Sequence, residues 1–158
     1  MPSNAAFSLK QQEYLRNATH RWNVKTGATR SGKTFLDYSV VIPKRVLAAN
    51  GEGRIVLIGN TNLTLTRNVI DPMREIWGKR LIGTPSSKNT VEIFGKTCDI
   101  IGADTKTAVK RLQGSGIQYC YGDEVATWNE EVFAMLKSRL DKPYSCFDGT
   151  CNPDRPTQ

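Results

Sequence analysis

At 158 residues the chain suffices for one domain with a real hydrophobic core, and 39% hydrophobic with 23% charged residues excludes a disordered or collagen-like polymer. The net charge of +7 favours an acidic partner such as nucleic acid. No Arg/Lys run with interleaved aromatics places a groove for it, and no apolar run approaches the length that spans a bilayer.

The N-terminus lacks a basic start followed by an apolar stretch, so an intracellular location is expected. Ser8 to Ala18 reads as the first helix, with Leu9, Tyr14 and Leu15 on one face and Ser8 with Gln11 as a capping box. Trp22 to Thr26 reads as a short buried strand. Directly after it stands Gly27-Ala28-Thr29-Arg30-Ser31-Gly32-Lys33-Thr34, which matches the phosphate-binding loop G-x-x-x-x-G-K-[ST]. Each residue type has a mechanical task. The glycines let the backbone curl until its N–H groups face phosphate oxygens. Lys33 brings a charge to the β- and γ-phosphates, and Thr34 brings a hydroxyl to Mg²⁺. The helix that follows turns its positive end toward the same anion. ATP and Mg²⁺ are therefore the expected ligands.

That helix runs from Thr34 to about Ala49, and Pro43 inside it is expected to kink or end it. Asn50-Gly51-Glu52-Gly53 is a turn, and Arg54 to Gly59 a continuous, β-branched, buried strand. Asn62 to Trp77 is helical by periodicity, with a new segment expected at Pro72. Gly83 to Asn89 is loop. Val91–Phe94 and Thr97–Ile101 pair as a hairpin across Gly95-Lys96. Asp104 to Leu112 is a short helix or irregular, and Gly114-Ser115-Gly116 a flexible break. Ile117 to Gly122 is a strand, Asn129 to Leu140 a helix and Ser145 to Thr150 a last strand. Strands alternating with helices predict an α/β fold, a mostly parallel sheet flanked by helices, with ligands at the carboxyl ends of the strands. Cys98, Cys120, Cys146 and Cys151 form no C-x-x-C pair, and the single His20 completes no zinc spacing. Three of them read as small apolar residues in or beside strands.

The strand ending at Gly122 runs into Asp123-Glu124. A phosphate-loop ATPase needs a strand-end carboxylate to hold the Mg²⁺ shell, which fits Asp123. A hydrolase also needs a base that orients water at the γ-phosphate, which fits Glu124. A kinase needs this base less, because its acceptor brings the hydroxyl. Charge develops on the γ-phosphoryl group as the bond breaks, and an arginine there accelerates the reaction. Arg30 inside the loop and Arg111 beside Gln113–Gly116 are the two candidates, Arg111 toward a neighbouring subunit's nucleotide.

Together these residues resemble the ATPase domain of a tailed-bacteriophage terminase large subunit. The resemblance covers nearly the whole chain. Phe7 to Glu13 is similar to the family's adenine-contacting Gln segment, with Gln11 as the contact on a helix of about 7–19. Gly27 to Thr34 is similar to its Walker A loop, and Arg111-Leu112-Gln113-Gly114 followed by Asp123-Glu124 to the segment leading into its Walker B. Gly149-Thr150-Cys151-Asn152-Pro153 resembles its coupling motif, with Thr150 and Asn152 sensing loss of the γ-phosphate. The resemblance implies an additional-strand, RecA-like P-loop NTPase fold over 1–158. It implies an ATP-hydrolysing motor that moves double-stranded DNA, with portal protein and small terminase subunit as partners. It also implies a homo-oligomeric ring when assembled, and the cytoplasm of a bacterial host, at times at the procapsid portal. The family's nuclease domain has no counterpart in these residues, so no DNA cleavage is expected of them. A helicase-like translocase, a small-molecule kinase and a nucleotide-binding fragment without turnover are the alternatives.

Overall fold

Among the residues that the computed structural model describes, 21–26 and 33–151, six strands form one sheet. They are β1 (Trp22–Thr26), β2 (Arg54–Gly59), β3 (Thr90–Ile93), β4 (Lys96–Gly102), β5 (Ile117–Gly122) and β6 (Cys146–Cys151). Their spatial order is β1-β6-β5-β2-β4-β3. The first five in that order run parallel, and β3 closes the far edge antiparallel to β4. Strand β6 thus lies between β1, which leads into the phosphate loop, and β5, which ends at Asp123. That interposed strand is the additional-strand arrangement expected.

β2 and β5 are buried throughout or nearly so, as the continuous apolar run of β2 predicts and although Gln118 and Gly122 interrupt that of β5. β1 differs from expectation: it pairs with β6 alone among the described strands, and Val24 is 43% exposed. It is an edge strand with one covered face. The hairpin turn also sits one residue earlier than expected. Ile93 pairs with Lys96, so Phe94 and Gly95 make the turn, both at positive φ (48° and 79°). The primed turn that matches strand twist requires this.

Among the described residues, four helices cover the sheet. Helix α1 spans 33–48 and α2 spans 62–77, while α3 is Ala108–Leu112 and α4 is Glu130–Arg139. Side chains of β2, β5 and β6 alternate between two cores, as parallel strands require. Ile55, Leu57, Tyr119 and Tyr121 pack with Ile42 and Val46 of α1 and Leu65, Val69 and Met73 of α2. Val56, Ile58, Cys120 and Phe147 pack on the other side with Ala108 and Leu112 of α3 and Val132 and Leu136 of α4.

Pro43 and Pro72 neither end nor interrupt their helices. Each is preceded by one π-helical turn, Asp37–Val41 in α1 and Thr66–Ile70 in α2. The wide turn draws the ladder away from the pyrrolidine ring, which would otherwise strike the carbonyl four residues back. Pro43 has no N–H to offer the Ser39 carbonyl, and that carbonyl accepts the Trp77 indole N–H at 3.0 Å. The proline of α1 is thereby turned into a contact with α2.

The expected flexible break at 114–116 is pinned. Arg54 donates to the carbonyls of Arg111 (2.9 Å), Leu112 (3.0 Å) and Ser115 (2.8 Å), closing the end of α3. Gln118, a polar residue inside an apolar strand, donates to the carbonyls of Gly51 and Gly53 and so ties down the turn before β2.

Candidate functional site

The site assembles at the carboxyl ends of β1, β6 and β5. Lys33 and Thr34 open α1 immediately beyond β1 and the loop. Gly27 to Gly32, with Arg30, lie outside the described residues, as do Gln11 and Asn152. The two strand-end acids and Thr150 lie within the described residues.

Asp123 follows β5 and is 4% exposed. Its backbone N–H donates to the Ile58 carbonyl at 2.8 Å, so pairing with β2 continues one residue past the strand. Trp128 donates its indole N–H to the Asp123 carbonyl at 3.1 Å. That ring lies directly over Gly122: a Cβ there would stand 2.5 Å from it. The glycine that weakens the apolar run in sequence is therefore what lets Trp128 clamp the acid-bearing turn.

Glu124 sits in the left-handed region, at φ 53° and ψ 56°. Non-glycine residues seldom hold this conformation without support, and it concentrates at functional sites. The support is visible. The Glu124 N–H donates to Thr150 Oγ1 at 3.0 Å, and its carbonyl accepts from the Thr127 N–H (3.0 Å) and hydroxyl (2.8 Å).

Thr150 belongs to β6 and is 1% exposed. Gly122 pairs with Gly149, so the next residues, Asp123 and Thr150, come side by side. The Thr150 hydroxyl donates to Asp123 Oδ1 at 3.1 Å while accepting the Glu124 N–H. One hydroxyl thus ties both acids to the strand inserted between them and the phosphate loop.

Beneath these residues lie two buried carboxylates that sequence reasoning did not single out. Asp37, one turn into α1, forms an ion pair with Lys25 of β1 and accepts the Tyr121 hydroxyl at 2.6 Å. Asp148 of β6 pairs with Arg45 of α1 at 2.8 Å and accepts the Tyr119 hydroxyl at 2.9 Å. Both are 0% exposed. Burial lifts the Asp37 carboxyl to about 6, with Lys25 and the Tyr121 bond opposing the rise and Asp148 adding to it. Burial likewise holds the Tyr119 and Tyr121 phenols well above their ordinary range, so both remain proton donors. The sequence does carry a signal for this layer: Tyr119 and Tyr121 at i, i+2 in a strand, and Asp37 and Arg45 eight apart on one helix.

Arg111 does not join the acids. Its guanidinium donates to the carbonyls of Ile100 and Asn89. No disulfide joins the cysteines, and burial pushes the Cys98 thiol up to about 12 and the Cys120 thiol well above its ordinary value. Among the described residues no group of three His, Cys, Asp or Glu surrounds a common point. Thr34 and Asp123 offer oxygen donors alone. That set fits a hard cation that keeps its waters and leans on substrate phosphates.

No protein-family model and no curated protein matches the chain. Solved structures do match it. The large terminase of a thermophilic bacteriophage superimposes with a TM-score of 0.78 at 24% identity, over 93% of this chain and 39% of that one. That same terminase is also solved with ADP and with ATP-gamma-S. The large terminase ATPase domain of Thermus phage P74-26 gives 0.65 at 14% identity, over 96% and 64% of the two chains. The HK97 bacteriophage large terminase gives 0.64 at 11%, over 92% and 33%. The chain thus spans about two fifths of the length of the thermophilic phage's terminase. At these identities the likeness establishes the fold: a P-loop nucleotide-triphosphatase fold, shared with the ATPase domains of phage large terminases.

Proposed function

We propose that this chain is the ATP-hydrolysing motor domain of a phage DNA-packaging terminase large subunit. The observation that carries the reading is the Asp123-Glu124 turn. It stands at the end of β5, separated from the phosphate-loop strand by one inserted strand, and its left-handed Glu124 is tied to that strand through Thr150. A strained, multiply anchored glutamate beside a phosphate loop suits a base that must hold one water in line with the γ-phosphate.

In this reading the backbone of Gly27 to Thr34 takes the phosphates, and Lys33 pairs with the β- and γ-oxygens. Thr34 and Asp123 hold Mg²⁺, which neutralises phosphate charge when bound. Glu124 accepts the proton of the attacking water. Arg30 is placed by sequence to offset charge on the transferred group. Arg111 serves that role only after leaving the carbonyls of Ile100 and Asn89. Gln11 contacts adenine. Thr150 and Asn152 register loss of the γ-phosphate and pass it to the element beyond, coupling hydrolysis to DNA movement. Double-stranded DNA, a portal protein, a small terminase subunit and further copies in a ring are the partners, in the cytoplasm of a bacterial host. A single domain over 1–158, acting in ATP hydrolysis alone, belongs to the same proposal.

The test is Mg²⁺-dependent phosphate release from ATP, with and without double-stranded DNA, for the parent and Glu124→Gln. We expect the variant to bind ATP like the parent and to lose at least about a hundredfold in turnover, the scale of a general base. Near-parental hydrolysis by Glu124→Gln removes the assignment. Phosphoryl transfer to a small acceptor without hydrolysis makes the chain a kinase instead.

A further inference from the structure

A residue's φ and ψ are set by the orientations of the two rigid peptide groups that flank its Cα. Both peptides that flank Glu124 are held by side chains. The first joins Asp123 to Glu124. Its carbonyl accepts the Trp128 indole N–H at 3.1 Å, and its N–H donates to the Thr150 hydroxyl at 3.0 Å. The second joins Glu124 to Val125. Its carbonyl accepts the Thr127 N–H at 3.0 Å and the Thr127 hydroxyl at 2.8 Å. Flipping the first peptide would return φ from 53° to the ordinary negative range and break two bonds at once. Turning the second would break the other two. For a residue with a Cβ the left-handed conformation is the costlier one, so these bonds hold Glu124 there against its intrinsic preference. The Thr127 hydroxyl is not needed to close the turn, because the N–H of the same residue already satisfies the Glu124 carbonyl. Nor does burial force it inward: Thr127 is half-buried and lines an open cleft with Asn60, Asp104 and Asn129. What its second bond adds is a fixed direction for that carbonyl. Trp128 is a stiffer post, 3% exposed, seated on Gly122 and edge-on to Phe147 at 6.4 Å.

We propose that Thr127 and Trp128 are positioning residues for the base: Trp128 fixes φ and Thr127 fixes ψ of Glu124, so that its side chain leaves the backbone in one direction. The inference rests on the ATP-hydrolysing reading above and adds two residues to it. A general base must keep an oxygen within hydrogen-bond reach of one water, and small misplacements are costly to the rate. Glutamate is long and rotates about its own bonds, so a backbone that does not move removes part of that freedom. Both braces lie within four residues of the base, at the short turn Val125–Thr127 and its end. The bracket is therefore carried on the end of β5 together with the acid it holds. Neither residue is assigned a contact with nucleotide, so binding of ATP does not depend on them.

The prediction separates turnover from binding. Valine at 127 removes the hydroxyl and keeps the branched shape, and serine returns the hydroxyl. Phenylalanine at 128 removes the indole N–H but also thins the packing on Gly122, so Thr127→Val decides the matter. Phosphate release gives kcat and KM, calorimetry gives ATP affinity, and thermal unfolding shows that each variant measured is folded. We expect Thr127→Val and Trp128→Phe each to lose about fivefold in kcat, the scale of one hydrogen bond, with KM and ATP affinity within about twofold of the parent. Thr127→Ser should recover the parental kcat. In the Glu124→Gln background, Thr127→Val should bring no further loss of single-turnover rate. Trp77→Phe, which gives up one bond far along α2, should keep the parental kcat. Parental kcat in folded Thr127→Val overturns the proposal. So does a loss that Thr127→Ser fails to recover, one that recurs in full on Glu124→Gln, or one that Trp77→Phe reproduces. A parent chain that hydrolyses no ATP, or a Glu124→Gln variant that hydrolyses it like the parent, overturns the reading beneath instead, and the two failures are thus told apart.

Discussion

Asp37 shows how a single buried side chain connects pH to stability. Its carboxyl titrates near 6 in the folded chain against 3.8 ordinarily, chiefly because burial disfavours the charged form. The charged groups facing it are Lys25 of β1 and Asp148 of β6, the latter with Arg45 of α1, and Tyr121 of β5 donates to it. A folded-state pKa above the unfolded one means that the native state binds more protons between the two values. This group's stabilisation is then complete below about pH 4 and is lost as pH rises through 6. The shift corresponds to on the order of 3 kcal/mol. The expected outcome is that denaturant midpoints of the parent rise between about pH 7 and about pH 5, and that Asp37→Asn removes most of that rise. A parent whose midpoint falls over the same interval contradicts the assignment. Carboxylates with ordinary behaviour pull the other way only at lower pH.

At the scale of elements, the two proline-bearing helices are where local rules and tertiary structure part. A proline in a helix signals a break because it lacks an N–H and crowds the carbonyl four residues back. Nothing in the sequence around Pro43 announces that a π turn will widen the ladder, or that Trp77 will fill the Ser39 carbonyl. Trp77→Phe should therefore cost about 1 kcal/mol by losing that bond. In a Pro43→Ala background, where the backbone supplies its own N–H to Ser39, the same substitution should cost less. Equal losses in the two backgrounds, by chemical denaturation, would show that Trp77 contributes through packing alone. Other elements were legible for a plain reason. β2 is a continuous apolar run bounded by turns, β5 is a mostly apolar one, and both form the strands their patterns state. The acidic pair was legible because it ends such a run. The hydrogen bonds around it were not, since they depend on β6 lying between β1 and β5, and no local pattern encodes that register. Nor does any pattern foretell that Phe94 takes a positive φ and shifts the hairpin turn by one residue.

The whole molecule divides unequally about its sheet. On one side β1 and β6 join the two ends of the described chain, with Trp22 beside Phe147 and Thr26 beside Cys151. On the other, β3 and β4 are a hairpin built from neighbours in sequence. Every residue assigned to ATP within the described chain lies toward the first side, except Arg111. A ligand that binds only the folded state stabilises it by about 2.7 kcal/mol at a hundred times its dissociation constant. How that stabilisation spreads depends on which contacts open together. β1 pairs with β6 alone among the described strands, so its amides open by local separation from β6 rather than by global unfolding. In the proposed site, nucleotide at the loop after β1 is expected to hold that strand in register through α1 and the Lys25–Asp37 pair. Amide exchange followed by mass spectrometry, with and without saturating Mg·ATP, should therefore show added protection in β1, in the first turns of α1 and in the turn at 123–128. The β3–β4 hairpin should exchange as before. Protection spread evenly over the sheet would mean that its strands open as one unit. Protection confined to the hairpin would place the nucleotide at the wrong edge and remove the site from the carboxyl ends of β1, β6 and β5.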